Sequence, residues 1–228
     1  MRAYVVSLAR RPERLAAFQA HFAQTGLVRC IDVEPFVAYD GSQLDIEALK
    51  PRISAWNLVN LNEARLRSIV GCALSHLAVW RRISEHTEPA IVFEDDARLV
   101  PGVDATRVAL ALKNLPNNAE LVWLNDYSYG ARAGLGSRLR MKFARLTGSD
   151  MQPGKVSFSS MPDVLTTAEA YAITPAYGRR LVSEIENDIG AIDRHMQTVN
   201  SRLQCKVYQT DPPLFGQADR SDSDTGGH

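Results

Sequence analysis

Four apolar residues, Ala90-Ile91-Val92-Phe93, run without a spacer into three carboxylates, Glu94-Asp95-Asp96. A short apolar run of this kind is the pattern of a buried strand, and the chain repeats the pattern. Tyr4–Leu8, Val28–Asp32, Leu121–Leu124, Ala170–Ile173 and Cys205–Gln209 are the other expected strands. Helical segments alternate with them. One starts at Pro12, carries Leu15, Phe18 and Phe22 on a single face, and stops at Gly26. The clearest runs from Ile69 to Glu85, where Val70, Leu74, Leu77 and Trp80 form one stripe and Cys72, His76, Val79 and Ile83 another. Two stripes mean a helix buried on most of its surface. Ala105–Leu115 is helical in pattern, Thr174-Pro175 caps a helix bearing Tyr177, Leu181 and Ile185, Gly190 ends that helix, and Asp193 opens a further short one. Residues 42–67 are polar and mixed, as short helices and loops are. Alternation of this sort predicts an α/β fold, a mixed and mostly parallel sheet with helices on both faces. A single domain over 1–218 is expected, followed by a flexible polar tail at 219–228.

The 228 residues carry 26 basic and 26 acidic side chains, a balance that points to no nucleic-acid partner. Cys30, Cys72 and Cys205 are odd in number and widely spaced, so reduced core cysteines are expected rather than a disulfide framework or a zinc site. Tyr4–Leu8 is too short for a secretory leader, and no apolar run approaches the ~18 residues of a membrane span. The expectation is a cytoplasmic protein.

Open α/β sheets bind ligands at the carboxyl ends of their strands. That rule selects Ser7–Arg14, Glu94–Asp96, Asn125–Tyr129 and the segment after Gln209. Three adjacent carboxylates at a buried strand end repel one another, and a hard cation such as Mn²⁺ or Mg²⁺ would relieve that repulsion. An acidic turn that caps the next helix is the plainer alternative. Arg10, Arg11 and Arg14 lie where a phosphate could rest against a helix start, or they solvate the first helix. His76 sits on an apolar stripe, as a hydrogen-bonded core histidine does; Ser75 beside it faces elsewhere on a helix, so the two form no nucleophilic pair. Cys72, on the stripe of His76, is expected to pack. Residues 127–149 contain Arg132, Arg138, Arg140, Lys142 and Arg145 and no acidic residue. An acid-free run in a neutral chain suits contact with an anionic acceptor or a membrane surface, the inner face of the cytoplasmic membrane in this reading. A solvated loop is the alternative.

The motifs and their order resemble glycosyltransferase family 25, the lipopolysaccharide galactosyltransferases related to procollagen galactosyltransferases. The resemblance is carried by Tyr4-Val5-Val6-Ser7-Leu8 with Arg14, Gly71-Cys72-Ala73-Leu74-Ser75-His76 with Trp80, and Val92-Phe93-Glu94-Asp95-Asp96. Ala170–Ile173, Ile192-Asp193, and Pro212-Pro213-Leu214 with Gln217 and Ser221 extend it to nearly the whole chain. It departs at Ser68-Ile69-Val70, where the family usually has Gly-Glu-Ile, and before Tyr171, where Glu169 stands.

The resemblance implies a GT-A-like nucleotide-sugar fold and inverting transfer, often from UDP-galactose, to a saccharide or glycolipid acceptor. Glu94 and Asp96 then hold Mn²⁺ or Mg²⁺, with Asp95, Ser7, Leu8, Arg10, Arg14, Ser75 and His76 around the donor. Arg138, Arg140 and Arg145 are the acceptor candidates. Inversion needs a base, for which Asp193 is the candidate and Glu169 the reserve; capping its own helix is the other role open to Asp193. Ile69 keeps a catalytically inactive nucleotide-sugar scaffold in view, and the acidic strand end keeps a metal-dependent nucleotidyltransferase.

Overall fold

The structure, a computed structural model, describes residues 1–125, 156–160 and 168–218. In chain order the strands are β1 (Arg2–Ser7), β2 (Asp32–Val37), β3 (Ala90–Glu94), β4 (Ala97–Leu99), β5 (Leu121–Trp123), β6 (Ser157–Ser160), β7 (Ala170–Ile173), β8 (Val207–Asp211) and β9 (Phe215–Gln217). The helices are α1 (Pro12–Thr25), α2 (Ile46–Leu49), α3 (Ala55–Asn60), α4 (Glu63–Ser84), α5 (Ala105–Lys113), α6 (Pro175–Ile185) and α7 (Ile192–Leu203).

Seven strands form one sheet in the order β2-β1-β3-β7-β5-β8-β6. The pairings make β2, β1, β3, β5 and β8 run one way and β7 and β6 the other, so the sheet is mixed and mostly parallel. Side chains alternate across the strands, and each face has its own core. Tyr4, Val6, Val92, Trp123 and Tyr171 pack with α4, α6 and α7 on one face. Ala3, Val5, Ile91, Phe93 and Val122 pack with Phe18 and Phe22 of α1 and Val108 of α5 on the other. Helices on both faces are therefore the observed arrangement.

Local chemistry explains the boundaries. Gly26 adopts φ 75°, and its backbone N–H bonds back to Ala23, so α1 stops where expected. The second strand begins at Asp32 rather than Val28. Leu27–Arg29 forms a 3-10 turn that buries Leu27 and leaves Val28 58% exposed, a split that the apolar residues alone do not reveal. α4 starts at Glu63, six residues before Ile69, because the Asn62 side chain accepts from the Arg65 N–H and its polar first turns hide the helical period. The last expected strand starts at Val207, since Gln204 closes α7 in the left-handed region and the Cys205 N–H bonds back to Asn200. The short antiparallel pair β4–β9, three residues a strand and without a readable period, brings Gln217 beside Asp96. The tail from Asp219 lies outside the described residues. Cys30, Cys72 and Cys205 are free thiols.

α4 is held against the Tyr39–Gln43 turn by two glycines. A Cβ on Gly71 would lie 2.8 Å from the Gly41 nitrogen and 2.9 Å from the Tyr39 carbonyl oxygen, both backbone atoms. Helix propensity alone would make Gly71→Ala stabilising by about 1 kcal/mol. The contact reverses the sign, because overpacking costs about 1–3 kcal/mol and backbone cannot swing aside. Gly71→Ala is expected to lower the melting temperature by a few degrees. A raised melting temperature would show that the turn yields freely.

Candidate active site

A cavity of about 350 Å³ opens at the carboxyl ends of β1 and β3, walled on one side by the turn after β2 and on the other by α4. Ser7, Leu8, Arg10, Arg14, Ser75, His76, Glu94, Asp95 and Asp96 all line it. Residues from four separate stretches of sequence thus meet in one place, as the strand-end rule predicts for an open sheet.

The acidic triplet divides its work: β3 ends at Glu94, and Asp95 and Asp96 follow in the turn, where both reach Arg14. Asp95 is nearly fully engaged. The Ser7 hydroxyl donates to its Oδ2 at 2.7 Å, and Arg14 pairs with its Oδ1 at 2.6 Å. Asp96 receives Arg14 at 3.1 Å and the Gln217 amide at 2.9 Å, both on Oδ2. Its Oδ1 is buried and has no hydrogen-bond partner among the described residues. A lone buried carboxylate oxygen is what a hard cation would occupy, so Asp96 fits the expected metal. Asp95, with both oxygens taken, frames the cavity instead.

Glu94 lines the same cavity and reaches toward α4. Its Oε1 is 3.5 Å from His76 Nε2, and the ligand atoms of Cys72, His76 and Glu94 lie within 4.8 Å of one another. The acidic triplet forms no comparable group among the described residues. His76 is fully buried, and its Nδ1 meets the Tyr171 hydroxyl at 2.7 Å, so the core-histidine expectation holds for one edge of the ring while the other faces the cavity. Ser75 bonds to the Gly71 carbonyl and accepts from the Tyr39 N–H, well apart from the imidazole's partners. Arg10 pairs with Asp40 at 2.9 Å.

Asp193 and Glu169 are not among the residues lining this cavity. Asp193 lies in the first turn of α7, close enough for its charge to act on Cys72, His76 and Glu94. Glu169 is buried beside β7, where the Asn125 amide donates to it at 2.7 Å and its carbonyl accepts from the Glu94 N–H. Ile69 is half-buried on α4 between the cavity-lining Ser68 and Cys72. Arg138, Arg140, Arg145 and the whole basic segment 127–149 lie outside the described residues. Sequence reasoning missed Arg67, the Tyr39–Ser42 turn and Cys72 as cavity wall; only the Asp40-Gly41 turn signal pointed there.

Residues 1–196 match the family profile described as glycosyltransferase family 25 (LPS biosynthesis protein). The chain belongs to glycosyltransferase family 25. A glycosyltransferase 25 family member of Aedes aegypti is 33% identical over 103 residues, 43% of this chain and 16% of that protein. One of Drosophila melanogaster is 29% identical over 105 residues, 44% of this chain and 16% of its own. A procollagen lysyl hydroxylase and glycosyltransferase of Acanthamoeba polyphaga mimivirus is 31% identical over 104 residues, 43% and 11% respectively. The matches therefore span less than a fifth of these longer family members. The crystal structure of mouse xyloside xylosyltransferase 1 superimposes with a TM-score of 0.36 at 11% identity, covering 90% of this chain and 70% of that one. That score carries no fold assignment of its own.

The clustered charges of this family 25 site make stability depend on pH. Burial, then Asp96 and Asp95, push the Glu94 carboxyl up to about 8 from 4.5. Between those values the folded protein keeps a proton that the unfolded chain has shed, so stability falls as pH rises. Burial lowers His76 from 6.5 to about 4, which acts oppositely below pH 6.5, where only the unfolded chain gains the proton. In chelator, denaturant midpoints are expected to decline from pH 6.5 to about 8, and Glu94→Gln should flatten that decline. A midpoint that climbs over this range would contradict the assignment.

Proposed function

We propose that this protein is a metal-dependent glycosyltransferase that moves a sugar, galactose as first candidate, from UDP to a saccharide or glycolipid acceptor with inversion. The observation that supports it best is Asp96, whose buried Oδ1, without a hydrogen-bond partner among the described residues, belongs to a cavity that also holds Arg14. Asp96 would anchor Mn²⁺ or Mg²⁺, with Glu94 completing the protein's share of ligands. When bound, the cation neutralises the diphosphate as it leaves. Arg14, fixed by Asp95 and Asp96, orients the strand-end carboxylates and adds positive charge beside that diphosphate. Ser7 locks Asp95 in place. Asp193 takes the proton of the attacking acceptor hydroxyl, and Arg138, Arg140 and Arg145 serve an anionic acceptor.

The family description names LPS biosynthesis, whereas the relatives cited are insect and viral proteins, so the acceptor is assigned only to the saccharide class. No helix of the described residues is long and apolar enough to cross a membrane. The reading places transfer in the cytoplasm or on the inner face of the cytoplasmic membrane.

The test is turnover of UDP-sugars with and without Mn²⁺, followed by product analysis. Release of UDP and a sugar of inverted anomeric configuration is the expected result. Release of pyrophosphate would make the protein a nucleotidyltransferase. Tight donor binding with no turnover would favour an inactive scaffold, the reading that Ile69 motivates.

A further inference from the structure

Trp80 and His76 lie one turn apart on α4 and both reach the Tyr171 hydroxyl of β7. The Trp80 Nε1–H donates to the Tyr171 oxygen at 2.8 Å, and His76 Nδ1 stands 2.7 Å from the same oxygen. An indole nitrogen only donates, and a phenol carries one proton. All three side chains are fully buried, so the phenolic proton needs an acceptor within the protein. Trp80 offers none. His76 Nδ1 is the acceptor within reach, and it can accept only if it bears no proton. The hydrogen of the imidazole then sits on Nε2. That atom is buried, has no hydrogen-bond partner among the described residues, and stands 3.5 Å from Glu94 Oε1.

We propose that Trp80, Tyr171 and His76 form a positioning relay, which presents the His76 Nε2–H to Glu94 and holds that carboxylate for the metal end of the donor site. The role of Glu94 rests on the function proposed above, whereas the order of protons stands without it. The relay joins α4, β7 and β3, and Tyr171 is paired in register with Val92, two residues before Glu94. Glu94 is thereby placed by the core rather than by a loop. The gap of 3.5 Å closes to a hydrogen bond as substrate seats, as contacts of this kind commonly do. The same proton count bears on the Cys72, His76 and Glu94 group. It gives a soft metal an N–H where coordination needs a lone pair.

Nitrogen-15 NMR of the histidine side chains tests the relay directly. The expected His76 pattern at neutral pH is a protonated Nε2 and a bare Nδ1, and Tyr171→Phe should introduce a detectable Nδ1–H population. A wild-type His76 protonated on Nδ1 overturns the relay and hands the group to metal binding, which a Zn²⁺ titration would register. The second measurement is Mn²⁺ affinity. His76→Leu is expected to weaken it by about 10–100-fold, the usual effect of removing an outer partner of a ligand. His76→Gln, which can offer an amide N–H to Glu94, should recover most of that loss. Equal loss in both variants, with melting temperatures matched, overturns the positioning role. A wild type that binds no Mn²⁺ would strike the proposed function instead, and the tautomer result would still decide the relay.

Discussion

Asp96→Asn is expected to keep the wild-type melting temperature within a few degrees while losing Mn²⁺-dependent UDP-sugar binding and roughly 10²-fold or more of turnover. The direction follows from the partners of the two carboxylate oxygens. Oδ2 already accepts from the Gln217 amide and from Arg14, a side chain that can only donate. An asparagine must therefore turn its carbonyl oxygen to that side. Its NH₂ group then falls at the Oδ1 position, where it offers two donors in place of a lone pair. The fold keeps its hydrogen bonds and the cation loses its anchor. Isothermal titration with Mn²⁺ and UDP-sugar separates the two effects. Full wild-type activity in excess chelator, or unchanged turnover in Asp96→Asn, would remove the metal from the proposal.

How far the sequence carried this site depends on how local each signal is. Strand ends are local: apolar runs stop at Ser7 and Glu94, and the strand-end rule then places both beside a ligand. The pairing of Ser7 and Arg14 with Asp95 was out of reach, since it depends on β1 and β3 being neighbours, with Val6 opposite Glu94. The division of labour within Glu94-Asp95-Asp96 was equally hidden. Three carboxylates in a row look equivalent until β3 ends at Glu94, beside His76 of α4, and the turn carries Asp95 and Asp96 to Arg14. Gln217 shows a third kind of limit. It reaches Asp96 through β4 and β9, strands of three residues each that no periodicity can reveal. His76 was legible as buried and hydrogen-bonded, but its neighbours Tyr171 and Glu94 come from other elements, β7 and the end of β3. Ile69, conspicuous as a departure from the family pattern, proved to be half-buried beside the cavity wall.

Asp193→Asn is expected to reduce transfer by about 10²–10⁴-fold, the range for losing a general base. Two features of the structure bear on this residue. Burial, the largest influence, raises its carboxyl above the ordinary value, against the backbone N–H and charge of Arg194 and the charge of His195. A base with a raised pKa takes up a proton more readily, which suits attack by a sugar hydroxyl near neutral pH. The capping role is also narrower than the sequence suggested. Ala191 occupies the N-cap of α7, no side chain caps that end, and the Asp193 Oδ1 accepts from the N–H of the very next residue at 2.8 Å. What remains structurally is a carboxylate in the first turn, favoured by the helix dipole by about 0.3–1 kcal/mol. Asparagine loses that charge, so the structural role predicts a small drop in melting temperature and normal transfer. The base role predicts nearly unchanged stability, unchanged donor affinity and failed transfer, with the acidic limb of the kcat profile gone. Near-normal transfer by Asp193→Asn sinks the base assignment. If Glu169→Gln then proves inactive with its fold intact, the proton goes instead to the carboxylate held by Asn125.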